Sequence, residues 1–541
     1  MQENLNPHTY RVPREDRSLL SIPELDLASE LVEENRASFE NSPLALHGRS
    51  LISLRSDVRR DAVRLARSYT SGLLQTDIPA VDPQSCVVSG HQPELFHVGV
   101  WSKNFTLSGL AHRFQSTPIN LVIDNDTLNT TTIRIPAGTR ERLRIDRLLF
   151  DTPRPVLPWE EAKVLDQDLF RMFGETISCQ LSASWGFDPL IGDAWKAAVN
   201  QLSISTRLCD CLTAMRAQVE RSWGLRNLEL PMSQLCEMEP FLWFVAHLLS
   251  RLPELYQTYN NAVAGYRREH QLRNRMQPVP DLERQGEWLE VPFWIWQRGD
   301  IQRGRLFARQ VGSICELRNQ TEVVARIPLA REGSLEGAVK QLSDFPARGL
   351  RLRTRALTTT LFARLFLADL FVHGIGGAKY DAMTDQICER LFGMKAPSFL
   401  TVSATLYLPL GDPFDVKERE LREINHKLRD LKYNPDRHLE QVPETSALIA
   451  EKNNLLASAT ALRQSNKLRG RLTPDQHRRL TEIRVALQKH TEVVRSGYEA
   501  TRAKVRAQLS ANALVRDREY AFALHPENQL RQFLTPLSHP E

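Results

Sequence analysis

The 541-residue chain is 42% apolar and 25% charged, an ordinary globular composition on a chain too long for one core, so two to four domains are expected. Its net charge of +5, from 70 basic and 65 acidic residues, is too mild and too dispersed to mark a nucleic-acid surface and reads as solvated helix faces. Seven scattered cysteines exclude a disulfide framework, and runs such as Phe241–Leu249 are too short to span a bilayer.

The first residues, MQENLNPHTYRVPRED, contain no apolar segment of the signal-peptide kind, and cytoplasmic residence is the expectation. Residues 1–82 read as an extended arm followed by helices, with Leu27, Leu31 and Phe39 on one face and Val63, Leu65, Ala66, Leu73 and Leu74 on another. Cys86-Val87-Val88-Ser89-Gly90 is a short buried-strand signal ended by glycine. Trp101 to Phe114 suits a helix, and Pro118 to Asp124 is a second apolar strand. Strand, helix and strand in this span predict a βαβ unit with a parallel pair.

Residues 128–150 alternate like strands, and 160–275 are helical in pattern, with an apolar stripe through Phe241, Phe244, Val245 and Leu248. Within it, Cys209-Asp210-Cys211 lacks a second pair at zinc spacing and reads as two reduced thiols on a helix. Pro278–Gln285 is a linker, Glu287–Phe307 is strand-like and rich in tryptophan, and 335–349 is helix and loop. Leu365–Val372 predicts a buried strand, His373-Gly374-Ile375-Gly376-Gly377 a turn, and Ala378–Phe392 a helix. From about Asp415 the text is long-helical. Leu421, Ile424, Leu428 and Leu431 lie at heptad-like spacing. Leu448, Leu455, Ala459 and Leu462 follow on a second helix, and Leu480, Ile483, Leu487 and Val494 on a third. That pattern predicts an antiparallel coiled-coil arm. The expected fold is therefore α/β, a Rossmann-like parallel-sheet core with helical insertions and a C-terminal coiled-coil arm. Its divisions fall at 1–159, 160–285, 286–412, 413–515 and 516–541.

Ligands of parallel sheets bind at the carboxyl ends of the strands, which is where Gly90-His91-Gln92 and Asp124-Asn125-Asp126 fall. His91 and His97 are candidate catalytic residues, because an imidazole there can stabilise charge on a transferring group; the alternative is a loop histidine bonded to backbone. Lys103, placed in the first turn of the following helix, is either a phosphate ligand or an exposed lysine. Asp124 and Asp126 are candidates for holding magnesium, a substrate amine or a ribose hydroxyl, against the alternative of turn caps. Gly374, Gly376 and Gly377 suit an anion cradle at a helix start. Arg355 suits a carboxylate, or belongs to a solvated stripe with Arg351 and Arg353. Neither a dinucleotide fingerprint nor a Walker A sequence is present, and no residue is assigned as a metal ligand.

Several of these stretches together resemble the BshC family, the cysteine-adding enzymes of bacillithiol biosynthesis. They are Gly90-His91-Gln92-Pro93-Glu94-Leu95-Phe96, Asp124-Asn125-Asp126, the run from Arg355 through Gly376, Gly377 and Tyr380, the helical arm, and the tail Pro526-Glu527-Asn528-Gln529-Leu530. The order matches over nearly the whole chain, with two departures: His91 stands where the family has glutamine, and the histidine of its acidic cluster is missing. The turn alone also resembles the WbqC-like family, through His91, Gln92, Pro93, Gly99 and Lys103. The BshC resemblance implies a ligase that joins cysteine to glucosamine-malate, with ATP or ADP as nucleotide and magnesium as its ion. It adds Gly90, Gln92, Asn125 and Tyr380 to the binding residues, and homodimerisation through the arm. The alternatives are a divergent nucleotidyl- or aminoacyl-transferring enzyme for another small molecule, and a non-catalytic nucleotide-binding scaffold that dimerises. Neither a nucleic-acid nor a membrane partner is expected.

Overall fold

The structure, a computed structural model, describes residues 10–274, 276–300, 302–329, 332–439, 443–464 and 472–539. The chain forms two compact units: Met1–Ile135, Asp146–Pro409 and Arg518–Glu541 make the first, Pro136–Ile145 and Leu410–Asp517 the second. Among the described residues, no helix is long and apolar enough to cross a membrane.

The first unit is mixed α/β. In chain order its principal elements begin with β1 (Ser18–Ile22), α1 (Ala28–Glu40), α2 (Leu51–Leu74), β2 (Cys86–His91), α3 (Val98–Arg113) and β3 (Thr117–Val122). Helices Gln167–Trp185 and Ile191–Leu202 follow, then α4 (Leu208–Ser222) and β4 (Leu228–Pro231). After helices Glu239–Ser250 and Leu252–Glu269 come β5 (Trp288–Gln297), β6 (Gly304–Val311), β7 (Ile314–Arg318), β8 (Val323–Pro328) and β9 (Leu350–Thr354). The unit closes with α5 (Ala356–Phe362), β10 (Leu370–His373), α6 (Ile375–Phe392) and β11 (Phe399–Thr405).

One sheet runs β1-β11-β10-β2-β3-β4. The last five strands are mutually parallel, and β1 is antiparallel to β11. The predicted βαβ unit is β2-α3-β3. From β2 the chain steps outward to β3 and β4, and on the other side from β10 to β11, so the strand order reverses between β2 and β10. Both flanking faces are apolar: Val88, Ile119, Leu121 and Leu230 belong to one buried cluster, Val87, Val372, Leu400 and Val402 to another. The second sheet is antiparallel, with β9 against β5 and β6, β7 and β8 beyond.

Several expectations need correction. β4 lies inside the stretch read as helical; at four residues with a terminal proline it is too short for a periodic signal. β1 comes from the arm read as merely extended, and Leu27 is 42% exposed rather than on a packed face. The predicted strand Leu365–Val372 is a strand only from Leu370; Ala363–Leu367 is a π-helical turn that continues α5. The cause is a pair of arginines on α2: Arg55 donates to the carbonyls of Leu365 and Ala368, and Arg59 to that of Leu367. Those acceptors are thereby satisfied without a strand ladder.

The second unit contains helices α7 (Glu418–Tyr433), α8 (Pro443–Gln464), α9 (Pro474–Lys489) and α10 (Glu492–Val515). Helix α7 packs on α10, and α8 on α9. The leucine stripe of α7 is half-buried at Leu421, Ile424 and Leu428 and buried at Leu431. Leu448 and Leu455 of α8 are half-buried, whereas the side chains of Ala459 and Leu462 lie outside the described residues. The third predicted helix is two, divided at His490-Thr491, where no proline or glycine announces a break.

Candidate functional site

Between the carboxyl ends of β2 and β10 lies a cavity of about 750 Å³. Gly90, His91, Gln92, His97, Lys103, Asn125, Asp126, Arg355, Gly374, Gly376 and Gly377 all line it. Residues from three separated stretches therefore meet at the place where strand order reverses, where crevices form in parallel sheets. Asp124 and Tyr380 do not line it.

His91 ends β2. Its Nδ1 sits 3.2 Å from the Gln92 carbonyl, and its ring packs edge-on against Phe96. Burial, then the charge of Lys103, pushes its pKa down to about 3, so it acts as a neutral imidazole and not as a cation. His97 is the N-cap of α3, its Nδ1 accepting the Gly99 N–H at 3.1 Å and its Nε2 lying 3.6 Å from Glu519. A backbone-bonded histidine, the alternative for this residue, is what the structure shows, with the ring at the cavity wall. A Cβ at Gly99 would lie 1.9 Å from the Arg518 guanidinium and 2.5 Å from the Ala404 carbonyl, so glycine is what lets Arg518 reach the cavity.

Lys103 lies in the second turn of α3, one turn later than expected, and is 3% exposed. Its Nζ donates to the Gly90 carbonyl at 2.6 Å. Among the described residues no carboxylate forms an ion pair with it. Burial, then Arg216, pushes its pKa down to about 7. A buried ammonium held by one carbonyl is costly, and its donors face the cavity.

The two acids at the end of β3 diverge. Asp124 is fully buried; its oxygens accept the Ser233 N–H at 2.8 Å, the Ser233 hydroxyl at 2.5 Å and Arg207 at 3.2 Å. It fastens α4 and the turn after β4, which corrects its assignment as a catalytic residue. Burial, then Glu160, raises its pKa to about 6. Asp126 faces the cavity and accepts from Gln92 at 2.8 Å and Arg303 at 3.0 Å. Between them, Asn125 donates to the Thr354 carbonyl at 2.9 Å while its buried Oδ1 has no partner.

Arg303 and Arg518, which the sequence did not single out, complete the wall with Arg355. Arg303 and Arg355 lie over the Trp294 ring at 4.5 Å and 4.2 Å. Arg355, no solvated stripe residue, is 8% exposed and pairs with Glu290 at 2.6 Å, its Nε left without a partner. Trp294 is therefore cavity wall. Arg303 and Arg518 come from strand and tail text without motif, and only tertiary structure brings them here. Lys103, Arg303, Arg355 and Arg518 face two lining acids, Asp126 and Glu519, so the wall is cationic.

Helix α6 starts in the cavity with Gly374 as N-cap and no side chain capping it. The free N–H groups of a first turn and the helix dipole favour an anion. Tyr380 is on the outer side of this helix, 38% exposed and 6.5 Å from the Tyr266 ring, which removes it from the binding set. Among the described residues no three His, Cys, Asp or Glu side chains gather as a metal site. The chemistry on offer is anion binding: a buried cation, a helix N-terminus, two guanidiniums on an indole, and polar atoms still lacking partners. The chain matches no protein-family model, and no curated protein matches it.

Proposed function

We propose that the first unit is a Rossmann-like enzyme core that binds a nucleoside triphosphate and an acidic substrate in this cavity and forms an amide bond, as the resemblance to the BshC ligases implies. The single observation that supports it most is the buried, carboxylate-free Lys103 beside the uncapped start of α6 at the strand-order reversal. That combination fits phosphate oxygens. In this reading Lys103, neutral His91 and the Gly374–Gly377 turn hold phosphates. Trp294 with Arg303 and Arg355 holds the planar or carboxylate end, and Asp126 orients Arg303 and Gln92 towards the acceptor. Magnesium, if it accompanies the nucleotide, needs only one or two carboxylates beside the phosphates; Asp126 and Glu519 are the lining acids, Asp124 being engaged elsewhere.

His91 in place of the family's glutamine, and the missing cluster histidine, support a divergent member acting on another amino acid or sugar. The helices of the second unit act, in this proposal, as a coiled-coil arm for homodimerisation. The test is ATP turnover by the full chain with cysteine and glucosamine-malate, then with other amino acids and amino sugars, in wild type, His91→Ala and Asp126→Ala. Amino-acid-dependent turnover that falls at least tenfold in both variants is expected. Turnover unchanged in both, or none with any acceptor, would overturn the reading.

A further inference from the structure

His373 ends β10 at the cavity and is 4% exposed. Its Nε2 lies 2.8 Å from Asp381 Oδ2. Asp381, 1% exposed on its side chain, receives Arg364 Nη1 on the same oxygen at 2.5 Å. Arg364 also donates to the Pro397 carbonyl and pairs with Asp385 at 2.8 Å. An ionised carboxylate only accepts hydrogen bonds, so Nε2 carries the proton and Nδ1 keeps its lone pair. Nδ1 faces the first turn of α6, where a Cβ on Gly377 would stand 2.7 Å away. Phe371 and Phe399, with ring centroids 4.5 Å and 4.8 Å from the imidazole, hold its plane.

We infer that His373 is the general base of the reaction, its Nδ1 taking the proton of the attacking amine, with Asp381 and Arg364 as positioning residues. This deepens the amide-forming reading and rests on it. A carboxylate of the substrate and a nucleoside triphosphate first give an acyl phosphate and the diphosphate. The amine lone pair then forms the C–N bond to the acyl carbon. The C–O bond to phosphate breaks, phosphate leaves with that electron pair, and the amine proton passes to Nδ1 and on to water. A base whose partner is fixed by a third group is the common arrangement of such dyads.

The groups that face His373 support the assignment. Burial lowers its pKa, Arg364 and Lys103 lower it further, and Asp381 opposes them, so the imidazole is neutral and able to accept a proton. Burial raises Asp381, but Arg364 and His373 outweigh it and hold the carboxylate well below its usual range. Tyr10 faces Asp381 and Asp385 and carries no charge at neutral pH, its own pKa being raised by burial.

Two readouts on the full chain separate this inference from the reading beneath it. The first is long-range ¹H–¹⁵N correlation of ¹⁵N-histidine-labelled protein, with H373Q identifying the resonance. A proton on Nε2 and none on Nδ1 at pH 7.5, with tautomer mixing in D381N, is expected. A proton on Nδ1 overturns the inference. The second is ATP turnover with the best acceptor. H373Q is expected to lower kcat at least 100-fold with KM for ATP within threefold, and to abolish the acidic limb of the pH–rate profile. Wild-type rates in H373Q overturn the inference and leave the ligase reading standing. Absence of turnover in wild type overturns both, whatever the tautomer.

Discussion

Arg216 and Lys103 are both buried cations of the same unit, and they differ in one respect. Arg216 is held by Glu220 at 2.9 Å and by Glu229 at 2.6 Å, and Glu220 also receives Trp101 and Asn104. Asp369, likewise, gathers Arg55 at 2.9 Å, Arg59 and Ser85. These networks are closed: every charge meets its opposite, and they staple helices to the sheet. At the cavity, Lys103 has one carbonyl, Asn125 Oδ1 and Arg355 Nε have no partner, and α6 begins uncapped. Closed networks hold the fold, whereas open ones destabilise the free protein unless a ligand completes them.

The contrast breaks most visibly at Asp369. D369A strands two buried guanidiniums and is expected to cost about 3–5 kcal/mol in urea unfolding, without a direct effect on cavity ligands. A loss under 1 kcal/mol would show that the network is not what holds the fold. The two acids of β3 should separate the same way. D124A is expected to cost about 2–3 kcal/mol, an unsatisfied-group penalty for Ser233 and Arg207. D126N, at an acid 37% exposed, should change stability by under about 0.5 kcal/mol while altering turnover.

A third test is the acid limb. His247 and His525 are buried, and burial pushes each pKa down to about 3. Because the folded value lies below the unfolded one of about 6.5, the unfolded chain binds the extra proton. Their contribution is fully present above pH 6.5 and is lost as pH falls towards 3. Each such histidine adds about 1.4 kcal/mol per pH unit to the slope between these limits, and H525F should remove one such increment. Equal slopes in the two proteins would contradict the burial argument.

The effect at Lys103 has the opposite sign. The folded pKa of Lys103, pushed down to about 7, lies below its unfolded value of about 10.4. Lys103 therefore destabilises the protein progressively as pH falls from 10.4 to 7, and K103M is expected to be more stable at pH 7 by up to about 4 kcal/mol. A loss of stability on that substitution would move Lys103 into the class of Arg216.

What was legible in the sequence divides along similar lines. The βαβ unit and the turn after Gly90 were readable because buried parallel strands are continuous apolar runs closed by glycine; after His373 the turn read over Gly374–Gly377 is instead the N-cap and first residues of α6. Most candidates on those turns reach one cavity because strand ends converge wherever strand order reverses. Which of Asp124 and Asp126 faces the cavity was not readable, since it depends on Ser233 and Arg207, contributed by distant elements. Arg303 and Arg518 lie in text without motif, and nothing in the sequence pairs Asp381 with Arg364 behind His373. They become neighbours only through the long-range packing of the sheet.

The most direct measurement is calorimetric titration of ATP and of ADP, each with and without magnesium, into wild type and K103M, with unfolding followed on the same samples. The account predicts micromolar binding to wild type, at least tenfold weaker binding to K103M, and equal or higher stability of the variant. Equal affinity in both proteins, or no binding to wild type, would contradict it.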